Sequence, residues 1–386
     1  METIQQNYKQ TKVGAVPIDW SEKLLSSFIK EKIIYCNDVT VGMGSLTIAN
    51  GVIPKPAQYE REHLVKDTTD AYKMIEEGDF AYNPMNLRFG ALALYKNEKA
   101  LRVSSYYNIF NVDEKIVNKD YFYAYLKSER IMFHYNRMAT GSLEEKKRVH
   151  FKEFKKFIFP LPPLKEQNKI SKILNVWNSG IKKQKELIAI KKSQRKELVQ
   201  RLLSGVGKKE WKFKKLGELL DYEQPTKYLV SNTNYNDSYK TPVLTAGKTF
   251  ILGYTNETIG IREENLPVII FDDFTTANKF VDFAFKAKSS AMKILKAKDS
   301  SINIKLVYEL MQMINFVSDD HKRYWISEYQ ELEVKVPPKE EEERIMTILE
   351  LSNKEISLLE DEFAHLNEQK RGLMQKLLTG EVRVKI

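Results

Sequence analysis

Cysteine is nearly absent from this chain of 386 residues, in which Cys36 is the one example. A disulfide framework and a cysteine-type zinc site both need several cysteines, so both are excluded. No apolar run reaches the ~18 residues that a membrane-spanning helix requires. The first residues, METIQQNYKQ, contain no apolar signal core. These absences predict a protein of a reducing compartment, the cytoplasm.

Catalytic signatures are also missing. No glycine-rich loop follows a strand pattern, as a cofactor site would require, and there is no Walker-type loop for ATP. The sequence NPMN at 83–86 begins like the Asn-Pro-Pro-aromatic loop of an adenine methyltransferase but lacks the second proline and the aromatic residue, so it is interpreted as a turn. The five histidines are too scattered to predict a metal site.

One acidic pattern leaves open the hypothesis that the chain is a nuclease. Asp272 or Asp273, together with Glu-Val-Lys at 333–335, has the residue types that can hold Mg²⁺. Such combinations also arise by chance in a chain of which 30% is charged. Glu333 also lies just before a Pro-Pro pair, where a structural strand is expected. A stand-alone nuclease is therefore kept as the least favoured hypothesis.

The formal net charge is +10, which favours an anionic partner, and nucleic acid is the commonest one. Incidental basicity is the alternative.

A repeat organises the chain. Residues 162–205 align without a gap with residues 337–380, and 15 of the 44 positions are identical. Each copy starts with Pro-Pro, which disfavours helix before it and is tolerated at a helix start. Each copy ends at a glycine, Gly205 or Gly380, which suits a left-handed cap. Each is therefore predicted to be one helix of about 40 residues, a rod roughly 60 Å long.

The apolar spacing predicts how these helices pack. Alternating steps of four and three residues from Ile170 and from Ile345 give the 3.5-residue period of a coiled-coil seam. The apolar residues predicted to pair the helices are Ile170, Leu174, Trp177, Ile181, Ile188, Leu198 and Leu202 in the first copy and Ile345, Leu349, Ile356, Leu359, Phe363, Leu366, Leu373 and Leu377 in the second.

Charge favours pairing within the chain. Residues 165–204 carry 11 Lys and Arg against 3 Glu, whereas residues 340–379 carry 5 Lys and Arg against 10 Asp and Glu. Helices of opposite charge should attract each other rather than a copy of themselves. Two alternatives stay open: each helix packs only on its own globular half, or the basic helix lies on DNA.

A globular segment precedes each helix. Both segments begin alike, around Trp20 in GAVPIDWSEKL and Trp211 in GKKEWKFKKL, and then diverge in sequence and length. Aromatic and β-branched residues broken by turn formers predict strands within 79–95 and 267–285, and residues 119–135 and 304–314 are predicted to be helical. The pattern indicates one repeated frame that carries two different recognition segments.

These motifs together resemble the specificity subunits of Type I restriction–modification enzymes. The resemblance rests on PPLKEQ at 162–167, on the helix ends QRLLSG and QKLLTG, on Gly-x-x-Pro-x-x-Trp at 14–20, and on TPVLTAGKTFILGYTNETIGI at 241–261, VIIFDDFTTANKFVDFAFKAKSSAMKIL at 268–295 and HKRYWIS at 321–327. Their order covers nearly the whole chain. The second helix start, VPPKEEEERI, departs from the pattern because it lacks Glu-Gln and is acidic.

The resemblance implies an α+β fold in which two mixed α/β target-recognition domains are separated by two long helices. The helices would form an intramolecular antiparallel coiled coil with pseudo-two-fold symmetry. The implied bounds are 1–160 for the first domain, 161–208 for the first helix and linker, 209–335 for the second domain, and 336–386 for the second helix and tail.

The resemblance also implies a function. Each domain would read one half of an asymmetric, bipartite double-stranded DNA target, and the helices would set the spacing and dock two methyltransferase subunits. Restriction subunits would join for cleavage. The chain itself would be non-catalytic, with S-adenosylmethionine, ATP and Mg²⁺ on the partner subunits.

DNA contacts are predicted on projecting loops, where Lys, Arg and hydroxyl groups reach phosphates and Asn, Arg and Lys reach bases. The candidates are Asn83, Asn86, Arg88, Ser104, Ser105, Tyr106, Arg137, Lys146, Lys147 and Arg148 in the first segment and Lys248, Thr275, Thr276, Asn278, Lys279, Lys288, Lys322, Arg323 and Tyr324 in the second. A solvated surface charge is the alternative for each. For the whole chain, the competing hypothesis is a coiled-coil adaptor between proteins, which would lack salt-dependent duplex binding.

Overall fold

The computed structural model describes residues 7–55, 72–247, 249–316 and 323–385. The chain divides into two compact units. The first unit consists of residues 1–185 and 362–386, and the second consists of residues 186–361. The C-terminal residues therefore belong to the same unit as the N-terminal segment.

The first unit is built around an antiparallel sheet of order β4-β11-β8-β9. Phe80 and Phe110 on this sheet pack with Phe122 of α1 in one buried aromatic core. The strands are β1 (Tyr8–Thr11), β2 (Gly14–Pro17), β3 (Ser21–Leu24), β4 (Ile29–Glu31), β5 (Gly44–Thr47), β6 (Gly51–Pro54), β7 (Tyr72–Ile75), β8 (Phe80–Tyr82), β9 (Leu92–Leu94), β10 (Leu101–Ser104), β11 (Asn108–Val112) and β12 (Ile158–Leu161). The helices are α1 (Lys119–Leu126), α2 (Glu129–Met138), α3 (Phe151–Phe154) and the first part of α4 (Leu164–Leu203).

The second unit has a sheet of order β14-β20-β17-β18 and a smaller sheet, β16-β15-β19. Phe271 of β17 packs on Trp325 and shares a core with Leu306 of α6. The strands are β13 (Lys212–Lys215), β14 (Leu220–Glu223), β15 (Thr241–Leu244), β16 (Ile251–Thr255), β17 (Val268–Asp272), β18 (Asn278–Val281), β19 (Lys286–Ala287), β20 (Met292–Ala297) and β21 (Glu333–Val336). The helices are α5 (Leu216–Leu219), α6 (Ile304–Met311), α7 (Tyr324–Ser327) and α8 (Lys339–Thr379), the last of which ends in the first unit.

The same strand pairing closes both units. In the first, β3 follows Trp20 and pairs antiparallel with β12, which ends just before the first Pro-Pro. In the second, β13 follows Trp211 and pairs antiparallel with β21, which ends just before the second Pro-Pro. Both tryptophans are buried. The two ends of the repeated frame are therefore neighbours in space within each unit.

The two long helices confirm the sequence prediction, since α4 has 40 residues and α8 has 41. Gly205 (φ 57°) and Gly380 (φ 74°) adopt the left-handed conformation expected of a glycine cap. The segment 119–135, which was predicted to be helical, forms two helices, α1 and α2, with a break between them. The break lies at Ser128, whose hydroxyl donates to the Tyr125 carbonyl oxygen (2.7 Å) and which serves as the N-cap residue of α2.

All the residues predicted to form the helix seam are buried or half-buried. In the first unit, Leu174 and Leu377 belong to one core, and Gln184 Nε2 donates to Glu362 Oε2 (2.9 Å).

In the second unit, Lys192 pairs with Glu360 (2.7 Å), and Arg195 donates to Asn353. In each unit, later residues of α4 therefore meet earlier residues of α8, so the helices are antiparallel.

The α+β class and the intramolecular antiparallel pairing are thus confirmed. The alternative in which each helix packs only on its own half is wrong, because Leu377 and Leu378 of α8 lie in the core of the first unit. No helix of the described residues is long and apolar enough to cross a membrane.

Candidate nucleic-acid interface

The basic loop of the first unit, residues 139–150 between α2 and α3, is held closed at its base. Thr140 and Arg148 exchange two backbone hydrogen bonds of 2.9 Å each. Gly141 has φ 150° and lies against the backbone of Lys147, so a side chain at this position would be strained and crowded. The loop therefore projects as a defined hairpin that carries Lys146, Lys147 and Arg148.

Two other predicted segments meet this loop. The Arg148 guanidinium lies 5.6 Å from the centre of the Tyr106 ring, on the turn between β10 and β11. The Val149 amide donates to the Pro84 carbonyl oxygen (2.9 Å), within the turn after β8. The turn residues Ser104–Tyr106, the turn residues Asn83–Asn86 and the basic loop are thereby brought to one site.

Arg88 has a structural role at this site. It is 8% exposed, and its guanidinium donates to the carboxylate of Glu144 and to the Glu144 carbonyl oxygen (2.5 Å). Hydrogen bonds from Lys147 and Arg88 lower the pKa of Glu144, so this carboxylate stays ionised as the anchor of the loop. Contact between Arg88 and DNA stays a prediction, but its burial and pairing favour a role in holding the loop.

In the second unit, Asp273 joins two of the predicted segments. Its backbone carbonyl accepts from the Tyr324 amide (2.9 Å), and its carboxylate accepts from the Trp325 amide (2.9 Å). Arg323 is thereby held beside the hairpin between β17 and β18, which carries Thr275, Thr276, Asn278 and Lys279. Thr276 adopts φ 58°, an uncommon conformation for threonine that shapes the tip of this hairpin.

The remaining candidates are distributed as follows. Tyr324 is 1% exposed and packs on Phe316, so its base-stacking role stays a prediction that burial disfavours. Lys288 follows β19, and its amide donates to Leu244 of the smaller sheet. Lys248 and Lys322 lie outside the described residues. The exposed or half-buried candidates are Asn83, Asn86, Ser104, Ser105, Tyr106, Arg137, Lys146, Lys147, Arg148, Thr275, Thr276, Asn278, Lys279, Lys288 and Arg323.

The sequence did not single out Gln312, although it belongs to this site. Its side-chain amide donates to the Asn278 side chain, which in turn donates to the Thr276 carbonyl oxygen (3.2 Å). Gln312 directly follows α6, so only the fold brings it to the hairpin. The polar, exposed position at a helix end was the one available signal.

The two aspartates considered for a nuclease are engaged in the fold. Asp273 is 1% exposed and pairs with the buried Lys293 (3.4 Å), in addition to the Trp325 amide. Asp272 accepts from the amides of Phe274 and Thr275 in a turn. Within the ranges that the structure describes, no three His, Cys, Asp or Glu side chains are grouped to hold a metal ion.

Known proteins resemble the chain in both sequence and fold. Residues 25–192 match the family described as Type I restriction modification DNA specificity domain. The EcoR124I/EcoR124II Type I restriction enzyme specificity subunit of Escherichia coli is 48% identical over 181 residues, which span 45% of this chain and 44% of that subunit. The putative MjaX specificity subunit of Methanocaldococcus jannaschii is 21% identical over 428 aligned residues, 99% of this chain and 98% of the relative.

A solved structure shows the same fold. The crystal structure of a Type I restriction–modification S subunit from M. genitalium superposes with a TM-score of 0.56 and 14% identity, covering 96% of this chain and 97% of that one. The sequence match and the shared fold agree with the order of motifs along the chain. Residues 25–192 thus match the Type I restriction modification DNA specificity domain, and the fold of the chain is similar to that of a Type I S subunit.

Proposed function

We propose that this chain is the non-catalytic DNA-recognition subunit of a cytoplasmic Type I restriction–modification complex. Each unit would read one half of a bipartite, asymmetric duplex target, and the helices α4 and α8 would fix the distance between the halves. The observation that carries this proposal is the repeated frame, in which the same strand pair and helix start recur while the exposed hairpins differ completely.

The chemistry of the candidate interfaces supports a nucleic-acid ligand. Both units present lysine or arginine together with small hydroxyl and amide side chains on projecting turns. Cations and hydroxyl groups suit phosphate, and amides suit base edges. The two sets share no common sequence, so an asymmetric target follows.

We also propose that the helices bind two methyltransferase subunits, which would be joined by restriction subunits for cleavage. S-adenosylmethionine, ATP and Mg²⁺ would then be bound by those partners. Apolar residues that lie outside the seam and are exposed in this chain support such docking. They are Val176, Leu187, Ile190, Ile348, Leu351 and Leu358.

A segment exchange tests the reading of half-sites. Residues 21–161, which lie between Trp20 and Pro162, would be replaced by the corresponding segment of a relative, and methylated positions would be mapped by sequencing in cells that contain the methyltransferase partner. One half of the methylated sequence should change while the other half and the spacing stay the same. Exchange of residues 212–336 is the matched control and should change the opposite half. A change in both halves after one exchange would contradict the proposal.

A further inference from the structure

The first unit presents one phenylalanine, Phe89, at its candidate interface. Phe89 is 53% exposed, whereas the two residues before it, Leu87 and Arg88, are 0% and 8% exposed. Leu87 belongs to the main core of the unit. A single exposed apolar ring is ordinary by itself, so the surroundings of Phe89 decide whether the ring has a function.

The loop that carries Phe89, residues 83–91 between β8 and β9, is closed by its own backbone. The Asn83 amide donates to the Ala91 carbonyl oxygen (3.1 Å). The Asn86 carbonyl oxygen accepts from the amides of Phe89 and Ala91 (3.0 Å each). These hydrogen bonds hold the backbone at Phe89 in one conformation, so the ring is presented from a defined position.

The ring of Phe89 lies beside the basic loop. The Arg88 guanidinium carbon is 4.6 Å from the centre of the ring. The same guanidinium donates to the carboxylate of Glu144, in the basic loop, and to the Glu144 carbonyl oxygen (2.5 Å). Leu143, the residue before Glu144, is 50% exposed and adds a second apolar side chain. Apolar groups are thereby held next to the cations that are predicted to meet phosphate.

This arrangement favours contact with the edge of a base. The Arg88 guanidinium lies over one face of the Phe89 ring, so the ring cannot stack on both faces as an apolar wedge between two base pairs does. Its other face and its edge can meet one small apolar group. In the major groove, the apolar group that a base pair presents is the 5-methyl group of thymine.

We infer that Phe89 is a specificity-determining residue of the first unit and contacts the 5-methyl group of a thymine in the half-site that this unit reads. This inference rests on the proposed DNA-reading function and names one base feature that the first unit recognises. It adds a residue that the sequence did not indicate. The cations of the basic loop position the duplex through its phosphates, whereas the ring distinguishes thymine from a base without the methyl group.

Replacement of thymine by deoxyuridine tests the contact, because deoxyuridine lacks only the 5-methyl group. The half-site of the first unit is the half of the methylated sequence that changes when residues 21–161 are exchanged. Duplexes with one deoxyuridine at a time in that half are titrated with the full chain and its methyltransferase partner. For the wild type, deoxyuridine at one position should weaken binding about fourfold, as expected for one methyl group that is no longer buried.

Substitution of Phe89 should remove this effect. Phe89→Ala should bind the thymine duplex several-fold more weakly than the wild type and should bind thymine and deoxyuridine duplexes equally. The salt dependence of binding should not change, because no phosphate contact is lost. Phe89→Leu keeps an apolar side chain and should keep part of the deoxyuridine effect. Because Phe89 is exposed, both variants should keep the thermal midpoint of the wild type within a few degrees.

Phe213→Ala is the matched control. Phe213 is 66% exposed, and its ring also lies beside a cation, with Lys335 Nζ 5.7 Å from the ring centre. It belongs to β13 of the repeated frame rather than to a projecting loop. This variant should keep the full deoxyuridine effect in the first half-site.

Three results would overturn the inference and leave the proposed function intact. They are equal binding of thymine and deoxyuridine duplexes by the wild type at every position, a first half-site without thymine on either strand, and a deoxyuridine effect that persists in Phe89→Ala. Absence of sequence-dependent duplex binding by the wild type with its partner would instead count against the proposed function itself.

Discussion

The two helix starts occupy equivalent positions in the repeat but use different chemistry. In the first unit, Glu166 is fully buried and accepts two hydrogen bonds from Arg383 (2.8 and 2.9 Å), which also binds Asp19. In the second unit, the equivalent Glu341 accepts from Lys208 (2.6 Å) on a more exposed surface. Glu166 and Glu341 are 175 residues apart, as are Lys208 and Arg383. The ion pair between the helix-start glutamate and the basic residue is therefore present in both units, but it is buried in the first unit alone.

The next helical position differs more strongly. Gln167 is 1% exposed. Its side-chain nitrogen donates to the carbonyl oxygens of Pro162 (2.9 Å) and Ile116 (3.2 Å). Its side-chain oxygen accepts from the backbone N–H of Asn118 (2.9 Å). Among the described residues, the equivalent Glu342 accepts from Lys339 alone, which lies one turn earlier on the same helix (2.9 Å). The acidic departure in VPPKEEEERI is thereby explained, because no loop among the described residues of the second unit bonds to this side chain as residues 116 and 118 bond to Gln167.

Exchanging the residues at this position should have the largest effect. Gln167→Glu places a carboxylate where two buried carbonyl oxygens need donors, so it should destabilise the first unit by about 3–5 kcal/mol. Glu342→Gln removes one end of an ion pair whose lysine is exposed, so its cost should stay within about 1 kcal/mol. Urea unfolding measures the free energies, and hydrogen–deuterium exchange of segments 111–126 and 304–314 assigns each loss to a unit. Equal losses would show that the two positions are equivalent after all.

Removing the basic partner of the helix-start glutamate should destabilise the chain by an intermediate amount, and again more in the first unit than in the second. Arg383→Met leaves Glu166 buried and unpaired, at a cost of about 3 kcal/mol, reduced by the partial exposure of the arginine. Lys208→Met breaks an exposed pair, and Glu341 still accepts from the Trp211 indole (2.7 Å), so the loss should be below about 1 kcal/mol. The thermal midpoint of each variant checks this order. A larger loss for Lys208→Met would mean that exposure does not decide the strength of these contacts.

Much of the frame could be predicted from the sequence, because it depends on local and periodic signals. The Pro-Pro starts, the cap glycines and the seam from Ile170 onward need only helix geometry and a 3.5-residue period. The structure confirms the two long helices, and the predicted seam residues are buried or half-buried in it. The opposite charges of the helices were also informative, since Lys191 and Lys192 pair with Glu355 and Glu360.

The candidate interfaces could be predicted only as regions. Arg88 looked like a DNA-binding residue because its sequence does not reveal the burial that joins it to Glu144, 56 residues away. Gln312 was missed because its contact with Asn278 is created by the fold. The division of residues among the units was equally inaccessible, since nothing local indicates that the end of α8 packs in the first core.

The smallest predicted effect is a change in stability at acid pH, and it compares how the stability of each unit depends on pH. The hydrogen bond from Arg383 lowers the pKa of Asp19 below its usual 3.8. Because the pKa of Asp19 is lower in the folded state, the ionised Asp19 stabilises the first unit at pH values above the usual pKa of aspartate. This contribution is lost as the pH falls through the lowered pKa of the folded state. Asp19→Asn should therefore flatten the acid limb of the stability profile in the first unit and leave the second unchanged. Because Asp19 is half-exposed, the change should be small and should shrink further at high salt. Hydrogen–deuterium exchange of segments 14–24 and 207–216 between pH 5 and pH 2, corrected for intrinsic exchange rates, measures the stability of each unit. An equal flattening in both segments would contradict the assignment to the first unit.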